Sequence, residues 1–492
     1  MRNISLGQAL IPILVLIMLL GMNVYVFEAD ATYGSNQFAL LFSAGVASIL
    51  GLMNGVNFNQ ILDKIAQNIQ STTPAILILL LVGSLAGTWL LSGVVPVMIY
   101  YGLNILNPSI FFVASVLICI IVSLATGSSW TTSATIGIAL IGIGNGLGLN
   151  PAITAGAVVS GAYFGDKMSP LSDTTNLASA IAGTNLNSHI KYMTITTVPT
   201  IIITLIIFLI IGMSVDSHGQ VDKEIIQNLI ASNFNVSPWL FLVPLIVILA
   251  IFFKAPPLMA LMIGTLLGGL AAVLLQQDLL LRITENESLS ALEIYRIIIN
   301  SITVDTLIPV EEVRLENGNL LDLSGLFQQG GMAGMLGTIW LIICAMAFGG
   351  ALDAIGALKR ISEFFLSMFQ SVFGLFASTV ASAFALNITA SDQYLTIVIT
   401  GKMYQKAFEE KGLAPENLSR TLEDAGTVTS VLVPWNTCGA FHSKVLMGEA
   451  GNMSFVPYAF FNYLSPFMTL IVAAIGYKIK LMDEEIEIPL NS

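Results

Sequence analysis

The amino-acid sequence predicts an all-α polytopic membrane protein. Its expected form is two inverted repeats with broken helices and about 12–14 membrane segments, re-entrant hairpins standing as the alternative to some full crossings. Three observations carry this. Of 492 residues, 55% are hydrophobic and 10% charged, against roughly 25% charged in a soluble globular chain. The apolar runs are long and weakly alternating, which excludes an outer-membrane barrel. Polar clusters interrupt the apolar sequence in both halves, at matching positions.

A span needs roughly 20 apolar residues. On that measure spans fall near 10–27, 37–56, 74–93, 109–126, 131–147, 152–186, 193–213, 238–253 and 257–275, then near 334–354, 362–386, 388–404, 420–447 and 455–477. Residues 1–73 form N-terminal membrane helices and 74–213 the first repeat. A linker, 214–333, carries two membrane helices and an extracytoplasmic polar segment. The second repeat is 334–480, and 481–492 a cytoplasmic tail. Arg2 ahead of apolar Ala9–Leu20 reads as the start of a first membrane helix, because no small-x-small cleavage site follows.

Lys/Arg placement sets orientation. Lys64, Lys191, Lys254, Lys359, Arg360, Lys402, Lys406, Lys411 and Arg420 fall on one side, joined by Arg2, Lys478 and Lys480 if both termini are cytoplasmic. Glu28, Asp30, the acidic 214–237 loop and the acidic interval 276–330 fall on the other. A net charge of −12 excludes nucleic acid as a partner. Membrane lipids and small ions or organic anions remain, with a homodimer left open. Cys119, Cys344 and Cys438 have no paired spacing and read as core hydrophobes. With no nucleophile–base constellation and no cofactor motif, neither enzymatic activity nor a cofactor is expected.

Segments about 262 positions apart match in kind. GSLAGTWLLSG (83–93) answers AFGGALDAIG (347–356), TGSSWTTSATIG (126–137) answers NITASDQYLTIV (387–398), and GDKMSPLSDTTN (165–176) answers GTVTSVLVPWNT (426–437). This register pairs Gly93 with Gly356, sets Asp392 near the place of Ser129, and puts Asp173 opposite Pro434. The orientation above makes the halves inverted, the usual architecture of secondary transporters.

The segment Val159–Ala178 is the sharpest anomaly, since it sets Asp166, Lys167 and Asp173 among membrane-depth residues. Ionisable groups there mark a functional site by default. Pro170 and the flanking Ser, Thr and Asn predict a break in the helix. Thr126–Thr135 is a hydroxyl-rich cluster that reads either as small-residue helix packing or as a break supplying oxygen ligands. The second half offers Asp392, Glu423, Asp424 and Pro434–His442. The candidate ion- or substrate-binding set is Asp166, Asp173, Thr175, Asn176, Ser129, Thr132, Asp392, Asp424, Thr427, Asn436 and Thr437. Asp173 and Asn176 are named as direct Na⁺ ligands, because an all-oxygen set suits a hard cation. Lys167 is either an ion-pair partner for Asp166 or a snorkelling side chain. Glu423 reads either as a further acid of the second-half site or as an acid near a solvated helix N-terminus, and His442 as a packing element more than a proton-linked one.

On GSSWTTSATIG, SGAYFGDKMSPLSDTTNLA, TASDQY and LSRTLEDAGTVTSVLVPWNTCGAF, the sequence resembles the NhaC family of sodium/proton antiporters from about residue 70 to 477. The resemblance implies exchange of cytoplasmic Na⁺ for external H⁺ across a bacterial inner membrane. Similar family members exchange malate for lactate, so an exchanger of small organic anions is the alternative. In the first reading Na⁺ and H⁺ compete for Asp166 and Asp173, with Asn176, Thr132, Asp392 and Asn436 completing the site. In the second, half-helix N-termini and hydroxyls of 126–133 and 427–430 hold carboxylates, helped by Lys167 or Lys444. The lack of an intramembrane arginine counts against that alternative.

Overall fold

The computed structural model describes residues 4–27, 31, 34–105, 107–214, 223–284, 289–308, 327–368, 371–448 and 452–482. Arg2, Glu28, Asp30, the 215–222 stretch, residues 285–288 and 309–326 of the acidic interval and the tail from 483 lie outside them. The described chain is helical, apart from one two-residue strand pair, Thr306–Leu307 with Gln328–Gln329.

Among the described residues, eight helices are long and apolar enough to cross a membrane. A ninth span arises if Glu224–Asn233 and Pro238–Phe252, bent by 92°, are taken as one. That is fewer than the expected 12–14, because several expected spans are divided. The 152–186 span is two helices, Pro151–Met168 and Asp173–Ala182. The 131–147 span is Ser129–Thr132, a π turn Ser133–Gly137 and Ile138–Gly146. The 420–447 span is Pro415–Thr421, a π turn Leu422–Thr427, a short turn at Ser430–Leu432 and Thr437–Met447. The 362–386 span is also misplaced: Ala357–Met368 ends before Val372–Thr389 begins.

The two halves repeat the same order of elements at nearly the same lengths. Thr73–Leu91 and Leu336–Ala354 each have 19 residues, and Val94–Ile105 and Ala357–Met368 each have 12. Pro108–Thr126 corresponds to Val372–Thr389, and Asp173–Ala182 to Thr437–Met447. The hinge residues fix the register: Gly93 and Gly356 turn at φ 77° and 76°, and Gly127 and Ser391 at 66° and 61°. The second pair is 264 positions apart, so Asp392 corresponds to Ser128 and Asp173 to Thr437. The sequence register had Ser129 and Pro434 there. It slipped by one residue at the first place and three at the second, because string similarity does not detect cap positions, where the backbone repeats and the side chains do not.

The breaks have local causes. Gly127 takes the left-handed conformation that ends the first helix, and Ser128 then accepts from the Thr131 N–H as N-cap. Ser172 and Asn436 cap the two later half-helices in the same manner. Ser391 takes a left-handed conformation without being glycine, a strain that neighbouring structure must impose. Its carbonyl accepts from the Thr437 N–H at 3.0 Å, tying two breaks together. Pro108–Thr126 and Pro151–Met168 pack closely because Gly161 and Gly165 face the partner backbone, and Ser123 Oγ donates to the Ala162 carbonyl at 2.6 Å. Leu14, Ile17, Ile206, Ile210, Leu266 and Leu270 are exposed, as a lipid-facing surface requires.

Candidate functional site

A cavity of about 620 Å³ lies over the breaks of both halves. Asp166, Asp173, Thr126, Ser128 and Trp130 line it from the first half, and Asp392, Gln393, Tyr394 and Thr437 from the second. Ser71, Thr72 and Lys254 also line it, near the side that the Lys/Arg pattern assigns to the cytoplasm. A second cavity of about 480 Å³ is lined by Asn145, Pro151 and Lys444, together with Gln328 and Gln329 of the strand pair. Trp130 and Phe441 stack at 4.0 Å between centroids and 18° between planes. The chain passes Trp130 on its way from the first cavity to Ile138 in the second, and Phe441 on its way from Thr437 to Lys444.

Each carboxylate at the first cavity is held differently. Asp166 Oδ2 accepts from Ser129 N–H at 3.2 Å and Ser129 Oγ at 2.7 Å, so one broken helix caps the start of another. Asp392 Oδ1 accepts from Leu395 N–H at 3.0 Å, and Oδ2 from Thr437 Oγ1 at 3.2 Å. Asp173 lies exposed to the cavity in the first turn of its half-helix. Tyr394, from the TASDQY motif, lines the same cavity as Asp166, Asp173 and Asp392, a placement the sequence reading did not single out.

Deeper in, Lys167 and Asp424 form a fully buried ion pair. Asp424 Oδ2 also accepts from Thr196 Oγ1 at 2.8 Å and Thr469 Oγ1 at 2.6 Å. Lys167 Nζ lies 5.6 Å from the centre of the Phe461 ring. Lys167 therefore neither snorkels nor pairs with Asp166. Asp424 is saturated by an internal cation and two hydroxyls, so it is not a free ion ligand. Thr196 and Thr469 were missed, although Thr196 belongs to a visible hydroxyl run with Thr197, Thr200 and Thr204.

The other candidates divide between scaffold and site. Thr175 Oγ1 donates to the Lys167 carbonyl at 3.0 Å. Asn176 Nδ2 donates to the Pro170 and Ser172 carbonyls at 3.0 and 2.7 Å, closing the break rather than lining the cavity. Asp173 and Asn176 are thus not brought together as a ligand pair at the cavity. Thr132 Oγ1 donates to the Ser128 carbonyl at 2.9 Å. Asn436 Oδ1 accepts from Cys438 N–H at 3.1 Å, while its Nδ2 donates to the Asn387 carbonyl at 3.1 Å. Thr427 is buried with its hydroxyl unpartnered. His442 Nδ1 bonds the Cys438 carbonyl oxygen at 2.8 Å, and its ring packs on Tyr163. Among the described residues no three His, Cys, Asp or Glu side chains converge on a metal-sized point, so any ion held here needs hydroxyl and carbonyl oxygens as well.

Arg420 corrects the sequence reading in another way. It is fully buried, not a loop cation, and its guanidinium lies 4.7 Å from the centre of the Tyr192 ring and 5.9 Å from that of Phe376. A fully buried arginine therefore exists, but it does not line the acidic cavity.

Interrupted helices, a cavity on each side of their crossing and a buried charge pair define a polytopic carrier-type membrane protein. The chain belongs to the Na⁺/H⁺ antiporter family, whose model matches residues 161–477. It is 37% identical over 431 residues, 88% of either chain, to the Na⁺/H⁺ antiporter NhaC of Alkalihalophilus pseudofirmus. It is 35% identical over 445 residues to the malate-2H⁺/Na⁺-lactate antiporter of Bacillus subtilis, covering 90% of this chain and 88% of that one. It is 32% identical over 487 residues to the arginine/ornithine antiporter ArcD of Halobacterium salinarum, covering 98% and 94%.

Proposed function

We propose that this protein exchanges Na⁺ for H⁺ across a bacterial inner membrane by alternating access between its two cavities. One observation carries the reading: Asp166, Asp173 and Asp392, drawn from both halves, surround a single open cavity. Three carboxylates attract cations and repel anionic substrates. A carboxylate cannot hold a proton and favour Na⁺ at once, so each ligand expels the other. Asp166 and Asp392 already accept two hydrogen bonds each, which leaves lone pairs for a cation while fixing the carboxylate planes. Residues 74–213 and 334–480 act as inverted halves, with both termini cytoplasmic and no cofactor beyond the transported ions. Lipids surround the bundle, and a homodimer is the assembly to test.

In proteoliposomes, added Na⁺ should collapse an imposed pH gradient, and Asp166→Asn should abolish the effect. A wild-type chain that leaves the gradient intact with Na⁺ but collapses it with malate or lactate would establish the organic-anion alternative. That alternative has the support of the malate-2H⁺/Na⁺-lactate antiporter, 35% identical, against 37% for the Na⁺/H⁺ antiporter NhaC.

A further inference from the structure

Every buried carboxylate around the helix breaks has hydrogen-bond donors except one. Asp166 and Asp392 each accept two, and Asp424 has Lys167, Thr196 and Thr469. Glu423 is fully buried, and neither carboxylate oxygen has a partner. Burying a carboxylate without donors is costly enough that native structures avoid it unless a ligand or a proton occupies it. Thr427, four residues further on, is also fully buried with an unpartnered hydroxyl. Both belong to the π turn Leu422–Thr427, or to its last residue. That widened turn puts residues four apart on one side, and such turns cluster at functional sites.

We propose that Glu423 and Thr427 form an interior monovalent-cation site, taking Na⁺ between the carboxylate and the Thr427 hydroxyl. The inference rests on the reading of this chain as a Na⁺ carrier. The charged neighbours of Glu423 are Asp166, Lys167 and Asp424. Lys167 is already neutralised by Asp424, so the net field at Glu423 is negative and selects a cation. Asp166 both lines the open cavity and neighbours Glu423, which makes it the step between the cavity and the interior site. The saturation of Asp424 sharpens the assignment, because of the two adjacent acids only Glu423 has oxygens to offer.

The test is equilibrium binding of radioactive Na⁺ to the purified full chain, with size-exclusion profiles checking the fold of each variant. Glu423→Gln should weaken binding by about tenfold or more, the scale of a lost charge-assisted contact. Thr427→Val should weaken it several-fold and Thr427→Ser should restore it. Wild-type affinity in folded Glu423→Gln would overturn the site while leaving Na⁺ transport intact as a reading. Should Glu423→Gln fail to fold, equal affinities of Thr427→Val and Thr427→Ser would overturn it instead. Absence of Na⁺ binding in the wild-type chain would sink the parent reading itself.

Discussion

Lys167 and Asp424 are 257 positions apart in sequence and form the one ion pair with no solvent exposure on either side among the described residues. The pair joins the first half's broken helix to the π turn of the second. Its geometry is complete, since Thr196 and Thr469 supply the remaining donors to Asp424. Removing one member leaves the other as an uncompensated charge at membrane depth, which costs about 3–5 kcal/mol. Lys167→Met or Asp424→Leu alone should therefore lower the thermal midpoint of the purified protein markedly. The double variant should recover much of that loss, because a buried pair replaced by apolar side chains of similar size is often neutral. A double variant no more stable than either single one would show that the pair is not coupled.

Asp166 holds the start of the Ser129–Thr132 helix from a distance of 37 residues, through both the backbone N–H and the hydroxyl of Ser129. Ser129→Ala removes one bond and keeps the other, so it should cost about 1 kcal/mol of stability and leave exchange measurable. Asp166→Asn should fold, because the amide oxygen still accepts, yet lose Na⁺-driven collapse of the pH gradient. Equal transport losses in the two variants would mean that Asp166 acts only as a cap.

The class of fold was legible because composition and hydropathy are global properties, and so were Gly93 and Gly356, since glycine at a left-handed turn leaves a mark in the sequence. The register of the later repeats was not, because Gly127 answers Ser391 and Ser128 answers Asp392, and residues equivalent as hinges and caps share no side chain. Asp166, Asp173 and Asp392 were found by charge alone. Asp424 and Glu423 could not be told apart, because adjacent acids look equivalent until a π turn sends one toward Lys167 and leaves the other without a donor. Arg420 was misplaced for a related reason: a cation beside a cytoplasmic loop looks solvated until the faces of Tyr192 and Phe376 enclose it.

Gly165 has no room for a side chain: a Cβ there would meet Leu124 N at 2.7 Å and the Ile120 carbonyl oxygen at 2.8 Å. These are backbone atoms and cannot swing away. Gly165→Ala should push Pro108–Thr126 from Pro151–Met168 and cost about 1–3 kcal/mol, measured as a lower thermal midpoint. Because Asp166 follows directly, exchange should fall with it. Gly337→Ala is the control, since nothing lies within 4 Å of its added carbon and it should behave as wild type.

Trp130 and Phe441 stack where the elements lining the two cavities pass one another, and Cys438, fully buried, lies one helical turn before Phe441. The stack buries two aromatic faces and adds about 0.5–1.5 kcal/mol beyond area alone, enough to bias one conformation without locking it. If it closes the second cavity from the first, Phe441→Ala should open the path from the Lys444 side. In a Cys119→Ser, Cys344→Ser background, an impermeant thiol reagent applied on the Lys444 side should then label Cys438 faster than it does with Phe441 present. Phe441→Trp keeps a stacking ring and should label as slowly as the parent. Trp130→Ala should couple exchange poorly, passing Na⁺ without the matching proton flux, because a carrier open at both ends loses its obligatory alternation. Unchanged labelling of Cys438 in Phe441→Ala would show that the barrier lies elsewhere in the bundle.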